Sequence, residues 1–244
     1  MLYAEEWRMD LTYLIFVMPA VMLSMIASFM VKNRFNIYNK VLSKKGLSGA
    51  QAAQLLMRAN DITDVQITHI SGSLTDNYNP TSKTLNLSDS TYASTSIAAI
   101  GVAAHETGHA IQHKVGYGPL GLRSTLVPVA NIGSRFGPTL AILGIIFGAS
   151  AESSASMWQL VTNIGLLLFG GAVLFYVITL PVEFDASRRA LKILQETNTL
   201  DSEELSGARK VLWAAAMTYV ASALTAIGNL LRLLVLSRNN KSRR

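Results

Sequence analysis

Two histidines four residues apart, with a glutamate directly after the first, stand in this 244-residue chain as His105-Glu106-Thr107-Gly108-His109. On a helix, positions i and i+4 lie about 40° apart around the axis, so both imidazoles point at one ion. The glutamate then flanks a water held by that ion and can take its proton, which is what metal-assisted hydrolysis of a peptide bond requires. The bland alternative is a pair of core histidines. Each would then need its own hydrogen-bonding partner on a largely apolar helix.

A catalytic zinc wants three protein ligands and one open position. The chain has no cysteine, which excludes a disulfide framework, a thiolate nucleophile and sulfur-ligated zinc, and leaves imidazole and carboxylate. His113 sits eight residues from His105, about 12 Å along a helix axis, too far to share an ion with it. The third ligand must come from another segment. His69 lies upstream, in VQITHI, and reads as a half-exposed strand residue. Glu183, in LPVEFDASRRA, follows a long apolar run and Pro181, and it is a candidate ligand whose alternative is a plain surface charge. An oxyanion would need a further donor, for which His113, Arg188, Arg189 and Tyr176 are the candidates.

These groups must be positioned by a chain that is 50% apolar and only 15% charged, against about 25% charged in ordinary soluble domains. The deficit excludes a disordered tail and a coiled coil and points to a membrane. Residues 11–31 carry no charge and, at about 1.5 Å per residue, are long enough to cross a hydrocarbon core of roughly 30 Å. Further apolar runs at 126–148, 158–180 and 211–236 give four expected spans. Arg135 inside the second is costly in lipid and should face protein or water. Gly165, Gly170 and Gly171 in the third should allow close helix packing.

Lys32, Arg34, Lys40, Lys44 and Lys45 after the first span put residues 32–125 on the cytoplasmic side, and the basic residues at 188–210 do the same for 182–210. Glu152 then falls on the opposite side from the histidines. The scheme sends the C-terminus outside although Arg238, Lys241, Arg243 and Arg244 sit there, a conflict that a re-entrant or in-plane second or fourth segment would remove. Of the 21 basic residues, nine lie in 32–125 and five in 182–210, so most of the net charge of +6 reports orientation rather than an acidic partner. No independent basic patch for nucleic acid exists.

In the first cytoplasmic segment, residues 48–61 read as an amphipathic helix with Ala52, Leu55, Leu56 and Ala59 on its apolar side. Residues 65–70 and 83–88 alternate like strands, with a turn at Asn79-Pro80, which predicts a short antiparallel sheet. The edge of the strand at 84–88 could pair with an extended peptide. The hydroxyl-rich residues 88–96 can cap a helix over 95–113 whose apolar positions are Ile97, Ile100, Ala104 and Ile111, and Gly116, Gly118 and Pro119 stop it.

AAHETGHAIQH (residues 103–113), NPTSKTLNLSDSTY (79–92) and LPVEFDASRRA (180–190) together resemble the YugP-type neutral zinc metallopeptidases, membrane proteins of bacteria. The resemblance covers nearly the whole chain. With the helical spans and small antiparallel sheet read above, it implies a mainly α polytopic membrane protein with a gluzincin-like metalloprotease core in one domain. It further implies His105, His109 and Glu183 as zinc ligands, Glu106 as the catalytic residue, and residence in the bacterial cytoplasmic membrane. More distant membrane proteases carry an aspartate four residues after the ligand glutamate, where this chain has Ser187. A supporting role for that position passes here to Asp185, to Ser187 itself, or to neither.

The expected function is a membrane-bound zinc endopeptidase acting at the cytoplasmic face on a peptide or membrane-protein substrate. The alternative class is a non-hydrolytic metal-binding membrane protein: a transporter, a sensor or an inactive protease scaffold. Glu106 favours the first. A transporter should place several ionisable groups inside its spans, where only Arg135 and Arg232 occur.

Overall fold

The structure is a computed structural model and describes residues 11–150 and 154–242. Glu152 and the terminal charges Glu5, Glu6, Asp10, Arg243 and Arg244 lie outside them. Seven helices run in the order α1 (Leu11–Phe16), α2 (Met18–Tyr38), α3 (Gly49–Ala59), α4 (Ile97–Lys114), α5 (Gly118–Ser150), α6 (Ala155–Glu196) and α7 (Ser202–Ser242), with three short strands between α3 and α4. The protein is mainly α, and four stretches are long and apolar enough to cross a membrane: Leu11–Tyr38, Gly118–Ala149, Ala155–Glu196 and Ser202–Asn239. Each contains one expected span. Neither α5 nor α7 has the chain reversal that a re-entrant segment needs, although Pro128 and Pro138 lie inside α5.

The chain divides into two compact units. Of the described residues, the first comprises 11–26, 122–150, 154–179 and 219–242. Its core is Ala141, Phe169, Ala172, Val173, Ala226 and Leu233. Glycines let its helices approach to backbone contact: a Cβ on Gly165 would lie 2.4 Å from the Ala141 nitrogen, and one on Gly133 2.1 Å from the Leu168 carbonyl oxygen. Gly171 instead packs against the Val129 side chain, whereas Gly170 opens onto empty space and has no packing role. Leu167 is 78% exposed and Met25 69%, and such an apolar exterior suits lipid rather than water. Arg135 lies beside the Phe136 ring.

The second unit comprises residues 27–121 and 180–218. Strands β1 (Gln66–Ile70), β2 (Asn77–Asn79) and β3 (Thr84–Ser88) form one sheet in the order β1-β3-β2. The pairing is mixed: β2 runs antiparallel to β3, but β1 runs parallel to it, with Gln66 opposite Thr84 and Ile70 opposite Ser88. Alternation sets the period of a strand and not its direction. The expected antiparallel sheet missed the three residues of β2, which occupy one side of β3 and leave β1 the other. Strand β3 is therefore central, and no edge of it is left for an extended peptide. The expected turn is present, with Asn79 Oδ1 accepting from the Thr81 amide at 2.9 Å.

Leu56, Leu85, Leu87, Ile100 and Leu194 are fully buried and join α3, the sheet, α4 and α6 in one core. The buried face of α3 is Ala52, Ala53, Leu56 and Met57, so Leu55 and Ala59 fall on the exposed side, one step around the helix from the expected stripe. Ser96 caps α4, its Oγ accepting from the Ala99 amide at 3.1 Å, and the four expected apolar positions of that helix are all buried.

Candidate metal centre

α4 carries His105, Glu106 and His109 into the interior of the second unit, against the part of α6 that carries Glu183. The two helices touch through Gly108: a Cβ there would lie 2.4 Å from the Ala186 carbonyl oxygen, so only glycine permits this separation. Glu183 is 1% exposed, His109 7% and Glu106 8%, which takes all three out of bulk water.

Glu183 Oε2 lies 3.2 Å from His105 Nε2 and 3.6 Å from His109 Nε2, and one ligand atom from each of the three residues lies within 4.8 Å of the others. A tetrahedral ion with bonds of about 2.0 to 2.1 Å holds its ligand atoms about 3.3 Å apart. The two separations to Glu183 match that spacing, and the set could hold zinc. Among the described residues this is the one cluster of three such groups.

The side chains behind the imidazoles fix which nitrogen faces the cluster. The Gln112 amide nitrogen donates to the Val182 carbonyl at 2.8 Å and to Asp185 Oδ2 at 2.9 Å. Its oxygen is thereby turned to His109 Nδ1, 2.9 Å away, which must donate. A neutral His109 then presents an Nε2 lone pair to the Glu183 carboxylate. Two acceptors face each other, an arrangement that calls for a cation between them or a proton on the ring. His105 Nδ1 lies 3.1 Å from Ser187 Oγ, which orients the other ring in the same manner. Asp185 is held in turn by Arg188 and Arg189.

Burial raises Glu106 above the usual carboxylate range; the two histidines oppose that shift, and Glu183 and Asp76 add to it. Burial works against protonating His109, but Glu183 and Glu106 outweigh it and hold that imidazole above its ordinary value. A carboxylate held ready for a proton beside a trio of ligand atoms has the makings of a general base.

The remaining sequence candidates are elsewhere. His69 Nε2 pairs with Asp89 Oδ1 at 2.7 Å on the exposed side of β1, outside the cluster. His113 Nδ1 meets the Tyr78 hydroxyl of β2 at 2.7 Å. Tyr176 lines a cavity of the first unit with Ser24, Thr225, Asn229 and Arg232. The support for the two imidazoles is divided: Ser187 serves His105, and Asp185 serves His109 through Gln112. Gln112 escaped the sequence reading, although its place three residues after His109, on the same helix face, was the available signal.

A family described as "Putative neutral zinc metallopeptidase" matches residues 13–238. Among curated proteins, "Putative membrane protease YugP" of Bacillus subtilis (strain 168) is 39% identical over 229 residues, which is 94% of this chain and 98% of that protein. No solved structure matches.

Proposed function

The chain belongs to the neutral zinc metallopeptidase family, and from that premise we propose that it is a membrane-bound zinc endopeptidase whose ligands are His105, His109 and Glu183 and whose general base is Glu106. The observation that carries this reading is the spacing of the three ligand atoms, two of whose separations are 3.2 and 3.6 Å, on helices locked together at Gly108.

Bound zinc would supply a water of lowered pKa and a Lewis acid for the scissile carbonyl. Glu106 takes a proton from the attacking water on its carboxylate and passes it to the departing amine. Its burial suits both halves of that task, because a carboxylate out of water holds a proton longer than an exposed one. Gln112 and Ser187 keep the two imidazoles turned, so their Nε2 atoms stay aimed at the same point. Of the oxyanion candidates, His113 is the one on the same helix as His105 and His109, where its Nδ1 meets the Tyr78 hydroxyl at 2.7 Å.

The active segments 32–125 and 182–210 face the cytoplasm in this reading, in one membrane-embedded domain, with a peptide or a membrane protein as substrate. The support is the distribution of Lys and Arg beside the spans. A reporter fused to the C-terminus tests it, with an external signal expected from four full crossings.

Bound zinc and peptide cleavage should be measured on the wild type, Glu106→Gln and Glu183→Ala. Glu106→Gln should keep zinc and lose cleavage, and Glu183→Ala should lose both. Normal cleavage by Glu106→Gln would reject the mechanism. Zinc with no cleavage of any peptide by the wild type would favour a non-hydrolytic metal protein.

A further inference from the structure

Within the second unit, α6 and α7 enclose a groove of about 420 Å³ lined by ten residues. Three of them are cations, Arg188, Lys192 and Arg209, and none is an acid. Asp185 pairs with Arg188 from outside the lining, and Glu196 lies 3.6 Å from Lys192. Arg209 has no ion pair among the described residues. Both helices also contribute apolar groups open to the surroundings: Trp213 is 56% exposed and Phe184 41%.

The groove is ordered along its length. A five-residue connection joins α6 to α7, so the two run antiparallel. Phe184 stands one turn beyond the apolar run that ends at Leu180, and Ala216 lies inside the run that begins at Val211. Lys192 and Arg209 sit at the other end, toward the connection. Apolar wall next to the membrane spans and cations beyond it is the order of groups in a phospholipid, acyl chain and then phosphate. Tryptophan is favoured at that depth, and basic pockets between spanning helices hold anionic headgroups. Both walls are helices whose backbone groups are already bonded internally, so an extended peptide finds no strand edge to pair with. A free phosphate would leave the aromatic wall unused.

We propose that this groove binds one anionic phospholipid, its phosphate held by Arg209, Lys192 and Arg188 and one acyl chain lying along Phe184, Trp213 and Ala216. Ser187 lines the same groove and touches His105, so the occupant sits one side chain away from the candidate metal centre. The site does not depend on whether the centre hydrolyses peptides.

The test uses the full chain in nanodiscs of phosphatidylcholine, with Trp7→Phe and Trp158→Phe making Trp213 the sole emitter. A minor fraction of brominated phosphatidylglycerol should quench Trp213 well beyond the same fraction of brominated phosphatidylcholine. Loss of two cations worth about 1 kcal/mol each should weaken that preference about thirtyfold in Arg209→Gln/Lys192→Gln. Helical circular dichroism should match the unsubstituted protein. Equal quenching by the two lipids in the protein with all three cations overturns the proposal without recourse to any charge variant. So does a preference left undiminished by loss of Arg209 and Lys192. Relief of quenching by inorganic phosphate would reassign the groove to a simple anion, and relief by a soluble peptide substrate would reassign it to the peptide.

Discussion

Gln112 Oε1 lies 2.9 Å from His109 Nδ1 while its amide nitrogen is held by two acceptors on α6, Val182 O and Asp185 Oδ2. One side chain thus ties the tautomer of an α4 histidine to the helix that carries Glu183. Removing such a contact behind a ligand costs metal affinity by about 10 to 100-fold in comparable sites. Gln112→Met keeps the volume and loses the acceptor, so zinc affinity should fall by about that factor, read by competition with a chelator. Unchanged affinity would show that His109 is oriented without it.

Gly108→Ala sets two effects against each other. Alanine is better than glycine inside a helix by about 1 kcal/mol. The added Cβ would meet the Ala186 carbonyl oxygen at 2.4 Å, and a backbone atom in a packed helix cannot step aside as a side chain can. Overpacking of this kind costs about 1 to 3 kcal/mol, and relief requires α4 and α6 to separate. The variant should unfold at lower temperature and bind zinc more weakly, because separation draws Glu183 away from both imidazoles. A variant as stable as the wild type with full zinc content would mean that the contact is not tight in solution.

The helices and the two histidines were legible because both are local signals. Apolar run length gave the four stretches able to cross a membrane, and the i, i+4 spacing placed His105 and His109 on one helix face. Glu183 stayed one of two open readings until the resemblance, since nothing in its spacing reports that α6 returns to α4 at Ala186. Strand β2 was hidden in a polar run, NYNP, because three residues are too few to show a period. The direction of β1 depended on which side of β3 the unseen strand took. Gln112 was overlooked as an uncharged residue beside a motif defined by its charged ones.

Ser96 is completely buried at the start of α4, accepting from the Ala99 amide and donating to Asn39 Oδ1 at 2.8 Å. Ser96→Ala leaves that amide without its cap, a loss of about 0.5 to 2 kcal/mol. Asn39 is exposed and can turn to water, whereas the half-buried Ser94, whose Oγ donates to Ser96 Oγ at 3.0 Å, also loses its acceptor. Chemical unfolding of the zinc-free protein should show a loss in this range. No change would mean that water satisfies the amide and that the cap does not stabilise the active-site helix.

Asp201 and Glu204 close the start of α7 reciprocally: Asp201 Oδ1 accepts from the Glu204 amide at 2.9 Å, and Glu204 Oε2 accepts from the Asp201 amide at 2.8 Å. Lys44 Nζ adds an ion pair to Asp201 at 2.5 Å. The Glu204 amide, and then Lys44, hold the Asp201 carboxyl below its ordinary value, which is about 3.9. The folded state thus binds this proton less tightly than the unfolded chain does. Its contribution to stability is present above about pH 3.9 and is lost as the pH falls through the lower folded value. Asp201→Asn keeps an oxygen for the cap but cannot titrate, so it should lower stability at neutral pH and flatten the fall below pH 4. Thermal unfolding of the zinc-free protein from neutral pH to below pH 4 reads both effects. Wild type and variant curves that stay parallel across that range would show that the ion pair and the charged cap do not persist in solution.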